Sequence, residues 1–154
     1  MTNLTFRNAN IDDLPDIVRM LSDDFLGGQR ERYEDPLPPS YIKAFEEIEA
    51  DPNNELIVAL ADERVVGTLQ LTLTPSISFQ GGKRATVESV RVDTTQRGAG
   101  IGREMMLWTI ERARDKGCIS IQLTTNADRI DAHRFYLQLG FKASHVGMKL
   151  SLKS

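Results

Sequence analysis

Cysteine is almost absent. Cys118 stands alone in 154 residues, which excludes an internal disulfide and makes a reducing cytoplasm the expected home. Histidine is nearly as scarce, and two widely placed imidazoles with one thiol do not suggest a zinc or iron site. No apolar run approaches the roughly 20 residues that span a bilayer, and the opening "MTNLTFRNAN" lacks the basic and apolar segments of a secretory signal. Lys and Arg number 19 against 22 Asp and Glu and are scattered rather than gathered in blocks, so neither nucleic acid nor a membrane is an expected partner. Internal repeats, low-complexity tracts and linkers are also missing. Residues 1–154 are therefore expected to form one domain, long enough to bury a core.

What is present is clear periodicity. "LTFRNA" alternates and predicts a first strand from Leu4 to Asn8. Ile11, Leu14, Val18, Leu21 and Phe25 recur at helical spacing, with Asp12 and Asp13 at an acidic start and Pro15 in the first turn. "LGGQRERYEDPLPPS" should break this helix. A second helix, from about Ser40 to Ala50, should bury Tyr41, Ala44, Phe45 and Ile48 behind a Ser40 N-cap. "ELIVALA", "VVGTLQLTLT" and "RATVESVRV" read as three strands, with Leu69, Leu71 and Leu73 on one face and a loop at "PSISFQGGK". A helix from Ile101 to Lys116 should end at Gly117, a strand should follow at "ISIQLTT", and a helix from Asp131 to Leu139 should end at Gly140. The tail alternates at Met148, Leu150 and Leu152 and reads as a last strand. The order βααβββαβαβ predicts an α/β (α+β) fold: a mixed, mainly antiparallel sheet of six to seven strands with helices on both faces.

"VRVDTTQRGAGIGREMM", Val90 to Met106, passes from a β-branched run through three glycines into helix-forming residues. The first N–H groups of a helix have no intrahelical partner, and the helix dipole adds partial positive charge there. Glycines let an anion approach without a Cβ in the way. The pattern suggests a phosphate or pyrophosphate site, with Arg97 and Arg103 adding charge, against the plainer reading of a tight strand–helix connection. A Walker-type loop would end in Gly-Lys-Ser/Thr, and "GIGREM" does not. A dinucleotide-binding turn would lead to an acid at the end of the next strand, whereas "QLTTN" has none until Asp128.

Arg97-Gly98-Ala99-Gly100-Ile101-Gly102 resembles the Arg/Gln-x-x-Gly-x-Gly/Ala motif of the GNAT N-acetyltransferases, and it sits after the fourth strand as it does in that family. Some 30 residues on, "AHRFYLQLGF" resembles the family's Ala-x-x-Phe-Tyr helix ending in Leu-Gly-Phe, and the likeness runs from about Asn3 to Leu152. The resemblance implies acetyl-CoA as co-substrate, no metal, and direct attack of an amine on the thioester. It implies that the pantetheine arm bonds to strand backbone at Val90 and Val92, with the Val90 N–H polarising the acetyl carbonyl. The pyrophosphate would rest on Gly98, Ala99, Gly100, Ile101 and Gly102, with Arg97 and Arg103 beside it. Tyr136 matches the family's general acid. Its spacing with Ala132, Phe135 and Leu139 equally fits a core-facing stripe, and Phe135 is read as packing that extends to the co-substrate. Arg129 stands where many members carry Asn, with Asn126 as the polar substitute.

Glu88 resembles the glutamate that some members use as general base, directly or through water. By period-two alternation it shares a face with Val90 and Val92, where a carboxylate is costly unless paired or functional. Solvent, or a pair with Arg91 or Arg84, is the alternative. His133 reads as solvated, His145 as part of a chain reversal, and Cys118, Met105, Met106 and Trp108 as packing. In the family the loop from Phe25 to Ser40 and the nearby second helix build acceptor specificity; here acids at Asp23, Asp24, Glu31, Glu34 and Asp35 interleave with Arg30, Arg32 and Tyr33. The implied partner is a small-molecule or peptide amine: polyamine, amino acid, aminoglycoside or protein amine. The alternative function is a non-catalytic acyl-CoA-binding sensor or interaction module. A homodimer through the edge of the Met148–Leu152 strand is a further expectation.

Overall fold

The computed structural model describes residues 3–153, and these fall into two compact units, one up to Gln122 and one from Leu123 onward. The five described strands are β1 (Leu4–Asn8), β2 (Asn54–Ala61), β3 (Arg64–Thr74), β4 (Lys83–Val92) and β5 (Cys118–Leu123), in the spatial order of the sequence. The first three pairings are antiparallel, with Phe6 opposite Ala59, Ile57 opposite Leu69 and Leu71 opposite Val87. A helix joins β4 to β5, the kind of crossover that parallel neighbours require.

In the first unit, α1 (Leu14–Leu21), α2 (Phe25–Arg30) and α3 (Pro39–Ala50) precede β2, and α4 (Ile101–Asp115) follows β4. Alternation along β3 sorts the helices onto two faces. Gly67 faces Met105 of α4, and Thr68 and Gln70 face the space under α1 and α3. Gly67 has a packing role: a Cβ there would lie 3.2 Å from the Met105 sulfur and 3.3 Å from Ala59. Ile57 and Val58 are adjacent on β2 and both fully buried, as expected of a strand covered on both faces. Ile17 and Met20 pack with Val58, Leu60 and Val65, and Leu14 and Val18 pack with Phe45. On the other face Met105 and Met106 are buried, and Trp108 stacks on Phe6 at 5.4 Å. Glu55 is buried but paired with Arg112 of α4, which removes the cost of a lone interior charge.

Several expectations are corrected. Phe25 does not continue the first helix; it opens α2 and is exposed. The "LGG" stretch is helical because Gly27 permits a close crossing: a Cβ there would fall 1.9 Å from the Leu21 carbonyl oxygen. Pro38, not Ser40, is the residue before α3, and no side chain caps it. Ala44 is exposed rather than inward, while Phe45 is buried. Within "PSISFQGGK", Phe79 and Gln80 adopt left-handed backbone at the tip between β3 and β4.

The second unit contains α5 (Ile130–Gln138), whose end passes into Gly140 at φ +100°. The tail Met148–Leu152 is not a strand, so five strands are described instead of six to seven, and the edge on which homodimerisation was expected is not formed. Alternation specifies a strand only where a neighbour completes the ladder, and here Met148, Leu150 and Leu152 are exposed. No helix among the described residues is long and apolar enough to cross a membrane.

Candidate active site

The glycine turn takes the geometry its residues allow. Gly98 and Gly100 hold φ of +87° and +79°, in the left-handed region that glycine enters without strain, and a Cβ built on either would meet nothing within 4 Å. Gly100 is the N-cap of α4 and supplies no side-chain cap, so the first N–H groups of a 15-residue helix stay open to a ligand. Arg97 and Arg103 flank the turn, both exposed. Open backbone donors, free space and two cations make this turn suited to an anionic ligand.

The turn is held from behind by Asp93, which the sequence reading passed over. Its carboxylate is buried and accepts hydrogen bonds from the Thr95 N–H at 2.9 Å and the Thr95 hydroxyl at 2.7 Å. Arg19 of α1 donates to it at 3.0 Å. The Thr95 hydroxyl, followed by the Thr95 N–H and Arg19, holds the Asp93 carboxyl below the usual range, against the opposing pull of burial. The run Asp-Thr-Thr before a turn is an N-cap signal and could have marked it. Alongside, the Thr94 hydroxyl donates to Asp23 at 3.0 Å, and Arg91 lies 3.8 Å from Asp24. The end of α1 is thus fastened to the end of β4.

β4 is bulged next to these links. Gln70 of β3 pairs with Glu88, but Thr68 pairs with Arg91, so Ser89 and Val90 together face the single residue Leu69. Ser89 sits at φ +56°. The bulge breaks the alternation, so the expectation that Glu88 shares a face with Val90 and Val92 by period two is not met. Glu88 is exposed, while Val90 and Val92 are half-buried. Nothing in "TVESVRV" signals the bulge, because serine carries none of the bias toward left-handed backbone that Gly or Asn would show.

A cavity of about 110 Å³ lies between α1, α3 and the sheet, walled by Leu14, Val18, Tyr41, Phe45 and Ile48 and reaching Ser89 of the bulge. The acids of the adjoining segment are engaged locally. Glu31 pairs with Arg30 and accepts from the Tyr41 hydroxyl at 2.9 Å, and Glu34 pairs with Arg32.

In the second unit, Phe135 and Tyr136 meet edge to face at 5.1 Å, and Tyr136 meets Phe141 at 5.8 Å, so the aromatic pair of the motif is packed by its own Leu-Gly-Phe ending. Asn126 accepts from the Asp128 N–H at 2.9 Å, which commits its side-chain oxygen to a local turn ahead of α5. Arg129 directly precedes α5. His145 is exposed and lies 2.7 Å from the Ser144 hydroxyl. Cys118 begins β5 half-buried, and that burial pushes its thiol pKa up, away from reactivity.

Comparison with known proteins agrees with this frame. The chain is 36% identical over 95 residues to an aminoalkylphosphonate N-acetyltransferase of Salmonella typhimurium, covering 62% of this chain and 61% of that one. It is 34% identical over 89 residues to a glucosamine 6-phosphate N-acetyltransferase of Trypanosoma brucei brucei, covering 58% of each. The chain thus spans about three fifths of the length of these curated relatives. A crystal structure from Bacillus halodurans C-125, described as a transcriptional regulator, is 55% identical and superposes with a TM-score of 0.95 over 97% of this chain and all of that one. The acetyltransferase (GNAT) family model matches residues 14–141, and with the glycine turn, the bulged fourth strand and the crossover helix in place, the chain belongs to that family.

Proposed function

We propose that this chain is a single-domain N-acetyltransferase that moves an acetyl group from acetyl-CoA directly onto a primary amine of a small molecule or peptide. The observation that carries the reading is the open, uncapped N-terminus of α4 behind Gly98 and Gly100, with Arg97 and Arg103 beside it. When bound, acetyl-CoA supplies the activated acetyl thioester. The amides from Gly98 to Gly102 hold its diphosphate, and the strand backbone at Val90 and Val92 orients the pantetheine arm. The bulge supports this role, because the two bulged residues oppose a single residue of β3 and the ladder is interrupted there. The Val90 N–H polarises the acetyl carbonyl, an oxyanion-type contribution. Glu88, exposed on β4, takes the amine proton directly or through an ordered water, and Tyr136 donates a proton to the departing sulfur. Asn126 and Phe135 are assigned to co-substrate binding.

Both curated relatives are named for small amine acceptors, which supports a small-molecule amine here. A second reading, a non-catalytic acyl-CoA-binding sensor or interaction module, is favoured by the description of the Bacillus halodurans neighbour as a transcriptional regulator. Thiol release from acetyl-CoA in the presence of an amine panel separates them. Amine-dependent release is expected, and acetyl-CoA binding without release from any amine would support the sensor.

A further inference from the structure

We propose that the cavity between α1 and α3 is the pocket for an uncharged apolar arm of the acceptor, so that the substrate is a short aliphatic amine rather than an anionic one. The inference rests on the acetyltransferase reading for why an amine comes to this edge of β4. Its content comes from the lining. Leu14, Val18, Phe45 and Ile48 form the walls, and no ionisable side chain faces the space except the Tyr41 phenol. The Tyr41 hydroxyl is already held, donating to Glu31 and accepting from the Arg32 N–H at 2.9 Å each. The polar floor is equally committed: the Thr68 hydroxyl donates to the Ile57 carbonyl at 2.9 Å, and Gln70 donates to Asn54 at 3.1 Å. A phosphonate or carboxylate entering here would lose hydration and find no cation among the lining residues, a cost that apolar walls cannot return. Arg91, the cation on the neighbouring stretch of β4, is turned to Asp24 and the Val90 carbonyl.

Size and placement narrow the class further. A cavity of about 110 Å³ is somewhat smaller than the roughly 150 Å³ apolar cavity that accepts benzene, so it suits a branched or linear chain of roughly four or five carbons. Its lining includes Ser89, an exposed residue of the bulge that adjoins Val90 on one side and Glu88 on the other. An arm seated in the cavity would leave its amino group at the bulge. Ala44, exposed on α3 yet lining the cavity, marks the open side.

The test is calorimetry on the CoA-saturated protein with linear amines from methylamine to hexylamine, and with 3-aminopropylphosphonate as the anionic counterpart. Affinity should rise about threefold to fourfold per methylene while the arm is being buried, and then level off beyond about five carbons. The phosphonate should bind at least tenfold more weakly than butylamine. Ala44→Leu, which fills the cavity from its open side, should flatten the series. A flat wild-type series, tighter binding of the phosphonate, or an unchanged series in a folded Ala44→Leu protein overturns the proposal. Thiol release on the same amines separates it from the reading beneath it. Length-dependent binding without acetyl transfer to any amine leaves the pocket standing and removes the transferase, and transfer without length dependence does the reverse.

Discussion

Asp93 and Asp13 are buried carboxylates whose hydrogen bonds fix the start of a turn and the entry to a helix. Asp13 is drawn up by burial, but the Arg7 guanidinium and the Asn10 N–H outweigh that and hold it below the usual range; Asp93 is held low by Thr95 and Arg19. A carboxylate with a depressed folded pKa contributes stability that is present above its unfolded value, near pH 4, and is lost as pH falls through the folded value. Urea denaturation followed with pH should therefore show stability dropping below about pH 4. Asp93→Ala should cost about 1–2 kcal/mol at neutral pH and shallow that acid limb, since a cap and a charge-assisted bond are removed together. A variant with unchanged stability at both pH values would contradict the cap. At Tyr136 the proposed mechanism expects Tyr136→Phe to lower kcat by about 10²–10⁴-fold while the edge-to-face packing on Phe135 and Phe141 survives. Near-normal kcat with a lowered Tm would make Tyr136 a packing residue. Single residues were the hardest to read: Tyr136 and the glycines were visible through their motifs. The bulge at Ser89 was not, because a bulge depends on the register with β3 rather than on local sequence, and the exposed Glu88 matches the solvent-facing alternative instead of the shared face with Val90 and Val92.

The elements were more legible than the joints between them. β1 runs from Leu4 to Asn8 as its alternation predicts, and Gly117 and Gly140 end their helices at φ +81° and +100°, the left-handed cap that glycine favours. The α1–α2 junction was misread because Gly27 looks like a breaker in sequence and acts as a close-approach residue in space. The same contrast makes the glycine turn testable. Gly100→Val and Gly100→Asn both place a side chain in the space over the turn, but Asn tolerates the left-handed backbone and should fold where Val is strained. Both should weaken coenzyme A binding by at least tenfold, measured by calorimetry. Unchanged affinity in a folded Gly100→Asn protein would remove the anion site from the N-terminus of α4. On the face of the sheet that α4 covers, Gly67→Val should destabilise by about 1–3 kcal/mol through overpacking against Met105 and Ala59, readable as a lower Tm.

For the molecule as a whole, the sequence carried the order of elements, and consecutive strands are neighbours in the sheet order β1-β2-β3-β4-β5. The tail escaped the reading because its alternation is a strand signal without a ladder in the described residues. Family membership covers residues 14–141, which contain the glycine turn, the bulge and the aromatic pair alike. The central claim is that the protein binds acetyl-CoA at the glycine turn and passes the acetyl group to an amine. The most direct measurement is thiol release from acetyl-CoA by the wild-type chain across neutral and anionic amines, with the Gly100→Asn protein run in parallel. The account predicts release that depends on the amine, is strongest for short apolar amines, and falls at least tenfold in Gly100→Asn at subsaturating acetyl-CoA. Release that is no faster with any amine than without one, from a protein that still binds acetyl-CoA, would contradict it.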